Sequence, residues 1–518
     1  ETEKIVFTQK QSFSLDPKST GSAKFCFNVS NIVSVKNDLS LLIVRVTANG
    51  SGYQDGEQYY LPILPDKELI TTTVPFTQSG PSVKSIDVAS LFPVKESTNK
   101  LTIEYTNNPA WLMIQALPSI SQVYDDNAIS LAAAYYATGI GRNILLGSPA
   151  IASTIRQWKQ EKTEESSLMS NLEKNQSLKT MVLEETPWVM DGQKESDQKR
   201  QLINFFDENT MNYRMSNFLQ KLTLLQNPDG SFSWWSGMGG SRYMTTEVTK
   251  MLVRLNSLVG NQQPTTQLLS RAFQYLDKKA ADEVVELKRL KAKGEKNLVP
   301  SETACDYLYI NSLAGRPVTT NIHYLVSLLS SIPNKLTIYG KANTALVLSM
   351  YGKMDEAKEY LKSISEYSVY KEEMGRYFDT PKAQYSWCDY RIPSQVAVIE
   401  ACKQLLPGDK RIEEMQRWLL QSKRTQAWDT PINSVNAVYA FLHEATNVLQ
   451  PMGTLSTFKL DNMSVELPKA TAGLGYVKTA KTGKDLKTLV IDKKSDGISW
   501  GAVYAQFIQK STDVGEQS

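Results

Sequence analysis

Leu224-Leu225-Gln226-Asn227-Pro228-Asp229-Gly230-Ser231-Phe232-Ser233-Trp234-Trp235-Ser236-Gly237 is an aromatic turn with a helix on either side. In Asn-Pro-Asp-Gly the proline presets φ and the glycine accepts a positive φ. Downstream, Val248, Met251, Leu252, Leu255 and Leu258 recur on one helical face. Thr245 or Thr246 is expected to open that helix and Gly260 to close it. Pro264-Thr265-Thr266 then opens the next. Two weaker echoes follow: Leu419-Leu420-Gln421 with Ala427-Trp428-Asp429-Thr430 before a helix from Ser434, and Tyr385-Ser386-Trp387 before Pro393-Ser394-Gln395-Val396. The shared unit is helix, polar turn, Trp and Ser/Thr-capped helix. Its repetition predicts a closed toroid of paired α-helices. Trp234, Trp235 and Trp428 are surface or packing aromatics in this reading. A ligand-stacking platform at Trp234-Trp235 is the less favoured alternative, because turn aromatics serve packing first.

Outward from this turn, helical spacing extends from Asn127 to about Gln450, with Leu269, Ala272, Phe273 and Leu276 as one stripe and Ile322, Leu325, Val326 and Leu329 as another. Lys159 to Arg200 is charged and poor in apolar residues, and reads as a solvated connection interrupted by Thr186-Pro187-Trp188. Residues 1–117 read as strands, at Lys4–Phe7, Phe25–Val29, Leu39–Val46, Ser82–Val88, Leu101–Tyr105 and Trp111–Ala116. Leu101, Ile103 and Tyr105 alternate with Thr102 and Glu104, which predicts one buried and one wet face. Residues 451–518 return to strand character at Thr457–Leu460, Ser464–Leu467, Lys487–Ile491 and Ser499–Phe507. The expected organisation is one antiparallel β-sandwich, residues 1–117 and 451–518, split by a helical domain over 118–450.

Composition narrows function by exclusion. Lys and Arg number 57 against 54 Asp and Glu, for a net charge of +3, and no basic run offers a phosphate track, so no nucleic acid is expected. No apolar run reaches the length of a membrane span. Glu1-Thr2-Glu3-Lys4 leads straight into strand-like sequence without a targeting segment, and the chain is expected to begin inside a longer protein. Cys26, Cys305, Cys388 and Cys402 lack metal-ligand spacing and read as four buried thiols, with a bridge between Cys388 and Cys402 left open. His323 and His443 are the only histidines. No cofactor, metal or catalytic residue is expected.

Taken in order, several stretches resemble the carboxy-terminal region of bacterial alpha-2-macroglobulin-like proteins. They are Tyr59-Tyr60-Leu61-Pro62, Asn108-Pro109-Ala110-Trp111, Gln226 to Trp235 with Thr245-Thr246, Asp389-Tyr390-Arg391-Ile392-Pro393-Ser394-Gln395, Ala427-Trp428-Asp429-Thr430 and Gly501-Ala502-Val503-Tyr504. The resemblance implies a helical thioester-type domain, an α/α toroid, inserted in a CUB-like β-sandwich. It also implies an extracytoplasmic protein that traps proteases, host or competitor, in its full-length form. In that family a Gly-Cys-x-Glu-Gln motif forms a buried thioester that captures the attacker. The equivalent stretch here is Asp125-Asp126-Asn127-Ala128-Ile129-Ser130-Leu131, with Ala128 at the cysteine and Ser130 or Leu131 at the glutamine. Gly56-Glu57-Gln58 and Gly515-Glu516-Gln517 carry part of the motif without its cysteine. The expectation is therefore entrapment without covalent capture.

Two other classes compete. An α/α-toroid enzyme, a terpenoid cyclase, prenyltransferase or polysaccharide-acting enzyme, needs clustered Asp, a zinc set or paired carboxylates. Asp125-Asp126 and a Cys305, Asp306, His323 trio are the candidates, the first better read as a helix cap. A helical-repeat scaffold is suggested by Tyr351-Gly352-Lys353-Met354-Asp355-Glu356-Ala357, which resembles a tetratricopeptide turn.

Overall fold

The computed structural model describes residues 7–26, 40–63, 68–93, 95–96, 98–107, 109–149, 151–159, 200–329, 336–371, 374–378, 391–422, 430–443, 456–466, 475–495 and 498–509. Trp428, Cys388 and nearly all of the charged stretch after Lys159 lie outside these residues. The described residues fall into two compact units, one holding 7–26, 40–63, 68–69 and 508–509 and the other the remainder.

In the first unit, β1 (Ser40–Gly50) and β2 (Tyr53–Ile63) form an antiparallel ribbon. Its two loop residues, Ser51 and Gly52, have φ of 38° and 91°, the hand that matches strand twist in a tight hairpin. Residues 7–26 contain no strand. A turn there closes by Ser19 N and Oγ donating to Asp16 O at 3.0 and 2.6 Å. The strand expected from Phe25 is thus absent at Phe25 and Cys26, and Cys26 is exposed rather than buried. Without ladder partners no second layer covers it.

The second unit contains two four-stranded sheets. Its strands are β3 (Glu68–Ser79), β4 (Ser82–Asp87) and β5 (Lys100–Thr106). Two short hairpins follow in the helical stretch, β6 (Phe232–Ser233) with β7 (Gly240–Ser241) and β8 (Val369–Lys371) with β9 (Gly375–Tyr377). Then come β10 (Thr457–Leu460), β11 (Met463–Ser464), β12 (Tyr476–Thr482), β13 (Thr488–Lys493) and β14 (Ile498–Gln509). One sheet runs β11-β10-β13-β4 and the other β12-β5-β14-β3. Both therefore pair strands from opposite ends of the chain, Leu489 opposite Ile86 and Val503 opposite Ile103. Ile86, Phe458, Leu489 and Ile491 from the first sheet share one core with Phe76, Leu101, Ile103, Tyr105 and Val503 from the second, as in face-to-face packing. The other face of β5 is not wet. Thr102 and Thr106 are buried, and Glu104 accepts the Tyr476 and Tyr504 hydroxyls at 2.9 and 2.8 Å. Strand β12 carries little sequence signal because it is an edge, with only Tyr476 and Val477 buried.

The helical part begins earlier than expected. Trp111–Ala116 is not a strand but lies in α1 (Pro109–Ile120). Pro109 sits in the first turn, where a missing N–H costs nothing. Trp111, Met113, Ile114, Ala116 and Leu117 are all buried, and a segment buried on every side has no periodicity to separate helix from strand. The following helices are α2 (Ala128–Gly147), α3 (Glu208–Leu224), α4 (Arg242–Val259), α5 (Thr266–Ala292), α6 (Glu302–Leu313), α7 (Thr320–Leu329), α8 (Ile338–Met350), α9 (Met354–Ser365), α10 (Arg391–Leu405), α11 (Lys410–Gln421) and α12 (Pro431–Leu442). Helix α4 is opened by Ser241, whose side chain accepts from Met244 N, and not by Thr245 or Thr246. Gly260 closes it, as expected.

Among these helices, α2 packs on α4, α4 on α6, α6 on α8, α8 on α10, α10 on α12, and α12 on α2. Helices α3, α5, α9 and α11 pack against α2, α4, α8 and α10 respectively. The burial follows this arrangement. Every residue of α4 from Met244 to Leu255 is buried, whereas α9 buries only Ala357, Tyr360, Leu361 and Ile364. A helix buried all round needs partners on all sides. The apolar stripe of α4 marks only one of its buried faces.

Two turns repeat one device. Gly230 has φ of 90°, and a Cβ there would lie 2.1 Å from the Arg271 carbonyl oxygen on α5. Gly375 has φ of 83°, and its Cβ would lie 2.3 Å from the Glu414 carbonyl oxygen on α11. A glutamine locks each turn. Gln226 Nε2 donates to Gly230 O and Leu268 O at 3.2 and 2.9 Å, and Gln395 Nε2 to Arg376 O and Met415 O at 2.7 and 3.2 Å. Gly230→Ala is expected to destabilise by about 3 kcal/mol, combining backbone strain with overlap. Gly237→Ala, at φ 83° with nothing within 4 Å of its Cβ, should cost only about 1 kcal/mol of strain. Denaturant unfolding followed by far-ultraviolet circular dichroism measures the difference.

Candidate functional site

The structure brings the first residues of α2 and the aromatic turn into one corner. Asn127 is the N-cap of α2: its Oδ1 accepts from Ser130 N at 2.9 Å, and its Nδ2 donates to Ser130 Oγ at 2.9 Å. Such a cap satisfies a backbone donor that the helix leaves free. Ala128 N donates to the Trp234 carbonyl at 3.1 Å, so the turn continues the capping. The Trp235 indole N–H donates to both Asp125 carboxylate oxygens, at 3.1 and 2.9 Å. Trp234 and Trp235 stack with centroids 5.4 Å apart. Trp234 packs against the helical core, while Trp235 remains 39% exposed. Asp126 pairs with Lys221 of α3 at 2.6 Å. Ala128, Ile129 and Leu131 face the core. The corner thus consists of caps, one indole–carboxylate contact and apolar packing. Among the described residues it holds no thiol, and each polar group named here has a partner within the corner.

A second constellation lies where side chains from α4, α6, α8, α10 and α12 converge. Arg254 of α4 donates to Tyr309 Oη of α6 at 3.0 Å, to Asn436 Oδ1 of α12 at 2.6 Å and to Glu400 Oε2 of α10 at 3.1 Å. Tyr309 Oη donates in turn to Glu400 Oε1 at 2.7 Å. The guanidinium also lies 4.4 Å from the Tyr439 ring centroid. Burial opposes its charge, but Tyr309, Glu400 and Tyr439 hold its pKa well above the ordinary arginine value. One helical turn earlier, Lys250 pairs with Glu247 at 2.7 Å and with Asp306 of α6 at 3.6 Å. Asp306 Oδ1 accepts from Tyr339 and Asn343 of α8 at 2.9 and 2.8 Å.

These residues escaped sequence reasoning because charged positions on an amphipathic helix normally face solvent. Their signal lay in the spacing of Glu247, Lys250 and Arg254, which places all three on one stripe.

The zinc trio does not assemble. Cys305 is buried 3.9 Å from Thr344 Oγ1, Asp306 is engaged as above, and His323 is exposed on α7. Among the described residues no three His, Cys, Asp or Glu side chains are grouped to hold a metal. Cys305 and Cys402 are buried free thiols. Burial raises both pKa values, that of Cys402 to about 12, so neither is a thiolate nucleophile at neutral pH. Gly56-Glu57-Gln58 lies within β2.

Arg254→Met leaves Glu400 buried without its cation and is expected to cost about 3–5 kcal/mol, more than Arg254→Met combined with Glu400→Leu. Chemical denaturation of the two variants tests this ordering.

No protein-family model matches the chain, and no curated protein matches it. Solved structures do. Native Escherichia coli alpha-2-macroglobulin is matched over 91% of this chain and 25% of that one, at 10% identity and a TM-score of 0.46. A crystal structure of the same protein from domain MG7 to the C-terminus is matched over 91% of this chain and 63% of that one, at 12% identity and a TM-score of 0.43. Salmonella alpha-2-macroglobulin reacted with methylamine is matched over 90% and 26%, at 10% identity and a TM-score of 0.42. The chain spans about a quarter of the longer structures. What it is similar to, along nine-tenths of its length, is the structure of bacterial alpha-2-macroglobulins, including one that ends at the C-terminus.

Proposed function

We propose that this chain is a non-catalytic, carboxy-terminal region of an alpha-2-macroglobulin-like protein that works without covalent thioester capture. In this reading the inner and outer helices form an α/α toroid running from Pro109 to about residue 450. The toroid is inserted in a CUB-like sandwich whose strands come from both ends of the chain. The partners are proteins, namely proteases held by steric entrapment in the whole molecule, and the location is extracytoplasmic, in the bacterial periplasm or at the outer-membrane surface.

The observation that carries the reading is the corner at the start of α2. There the resemblance calls for a cysteine and a glutamine, and the chain has Ala128 with Ser130 or Leu131. A thioester needs a sulfur and an acyl donor three residues on. None of Cys26, Cys305, Cys388 and Cys402 is followed at that spacing by glutamine; the residues there are Val29, Leu308, Arg391 and Leu405. The capping bonds of Asn127 and the Asp125–Trp235 contact occupy the corner instead. The helix cycle supports closure, since α12 returns to α2.

The test uses the whole protein that contains this region. Incubated with trypsin, it should protect trypsin against a large inhibitor but not against a small one, and denaturing gels should show no protease adduct. Methylamine should release no new thiol. A covalent adduct, or a methylamine-dependent thiol, would overturn non-covalent trapping. Loss of size-selective protection would overturn trapping itself.

A further inference from the structure

We propose that the two packed sheets and the helices move as one rigid body, locked together by a tyrosine that β12 pegs into the helical core. Relative motion is the default where parts of one chain meet over a small polar surface, and it needs a few residues that absorb the change in φ and ψ. The connection from β5 to α1 has no such slack. Only Asn107 and Asn108 separate the two elements. The Asn107 N–H donates to the Gly475 carbonyl at 3.0 Å, and Thr106 Oγ1 donates to the same oxygen at 2.8 Å. The chain is therefore stitched to the start of β12 at the point where it leaves the sheet.

Tyr476 sits at that start, opposite Thr106 in the ladder. Its ring belongs to the apolar core of the helices and not to that of the sheets. The ring centroid lies 6.0 Å from that of Trp111 on α1, and Trp111 meets Trp158 edge-on at 6.3 Å. All three rings are buried. Helix α1 packs in turn on α2 and α12. A swing of α1 away from the sheet would separate these rings and return apolar surface to water.

The other end of the peg is held as firmly. Tyr476 Oη donates to Glu104 Oε1 at 2.9 Å, and Tyr504 Oη donates to Glu104 Oε2 at 2.8 Å. Glu104 lies on β5, with β12 and β14 as its two neighbours in the sheet. One carboxylate thereby ties three strands and fixes the direction of the Tyr476 ring, through bonds strengthened by its charge. A displacement imposed on the sheets is carried whole to the helices, so a partner that binds either part reorients both.

Spin labels on non-native amino acids at exposed Val83 of β4 and Val285 of α5 report the separation of the two parts, and a pair at Leu146 of α2 and Val285 reports the helices alone. Pulsed electron resonance on the unsubstituted chain should give single distance distributions of equal width for both pairs. Tyr476→Ala withdraws the peg, and Trp111→Leu opens the same contact from the helix side. Each should broaden the first distribution and leave the second unchanged, which also shows that the helices remain folded. A first distribution broader than the second in the unsubstituted chain would overturn the proposal whether or not the variants fold. So would a first distribution that stays narrow in both variants.

Discussion

The buried Arg254 guanidinium is the constraint around which the helical body is organised. Removing it from water costs several kcal/mol unless nearly every N–H finds an acceptor. Those acceptors come from three other helices, Tyr309 on α6, Glu400 on α10 and Asn436 on α12. None is close in sequence. A shift of any one helix by a turn would strand the charge, so the network fixes register as well as contact. Lys250 extends the same logic to α8 through Asp306. Apolar packing alone would tolerate sliding; two buried cations with directed partners do not.

Helix α2 enters this arrangement differently. Packed by α1, α3, α4 and α12, it buries a run of small residues, Ala132, Ala133, Ala134 and Ala137, beside Tyr135 and Tyr136. Small side chains permit close approach, and the position of the helix then depends on how its ends are held. The N-terminal end is held by Asn127 and by the turn that presents Trp234 and Trp235. That turn is anchored in its own right by Gln226 and by the tight passage of Gly230 against α5. The caps and the indole–carboxylate contact in this corner fasten the start of the helix.

The turn at Asn227–Gly230, the helix end at Gly260 and the strands at Leu101–Tyr105 and Ser499–Phe507 were legible in the sequence. Each depends on local chemistry: a glycine at positive φ, a cap, or alternation across a sheet. Three features were not. Trp111–Ala116 reads as a strand because complete burial erases periodicity. Strand β12 is an edge whose outer residues are polar. The Arg254 and Lys250 clusters resemble a wet face because nothing local says that α6, α8, α10 and α12 will cover it. In each case the missing information is tertiary. For the corner, the sequence could name Asp125 and Trp235 separately, but only the fold brings them within hydrogen-bonding distance.

The central claim is that the corner at the start of α2 is held without a covalent electrophile, and the intact mass of the purified, non-reduced chain tests it most directly. Closing a thioester between cysteine and glutamine expels one ammonia. The account predicts a mass equal to that of the sequence. A deficit of one ammonia, restored by mild nucleophiles with release of a thiol, would contradict it.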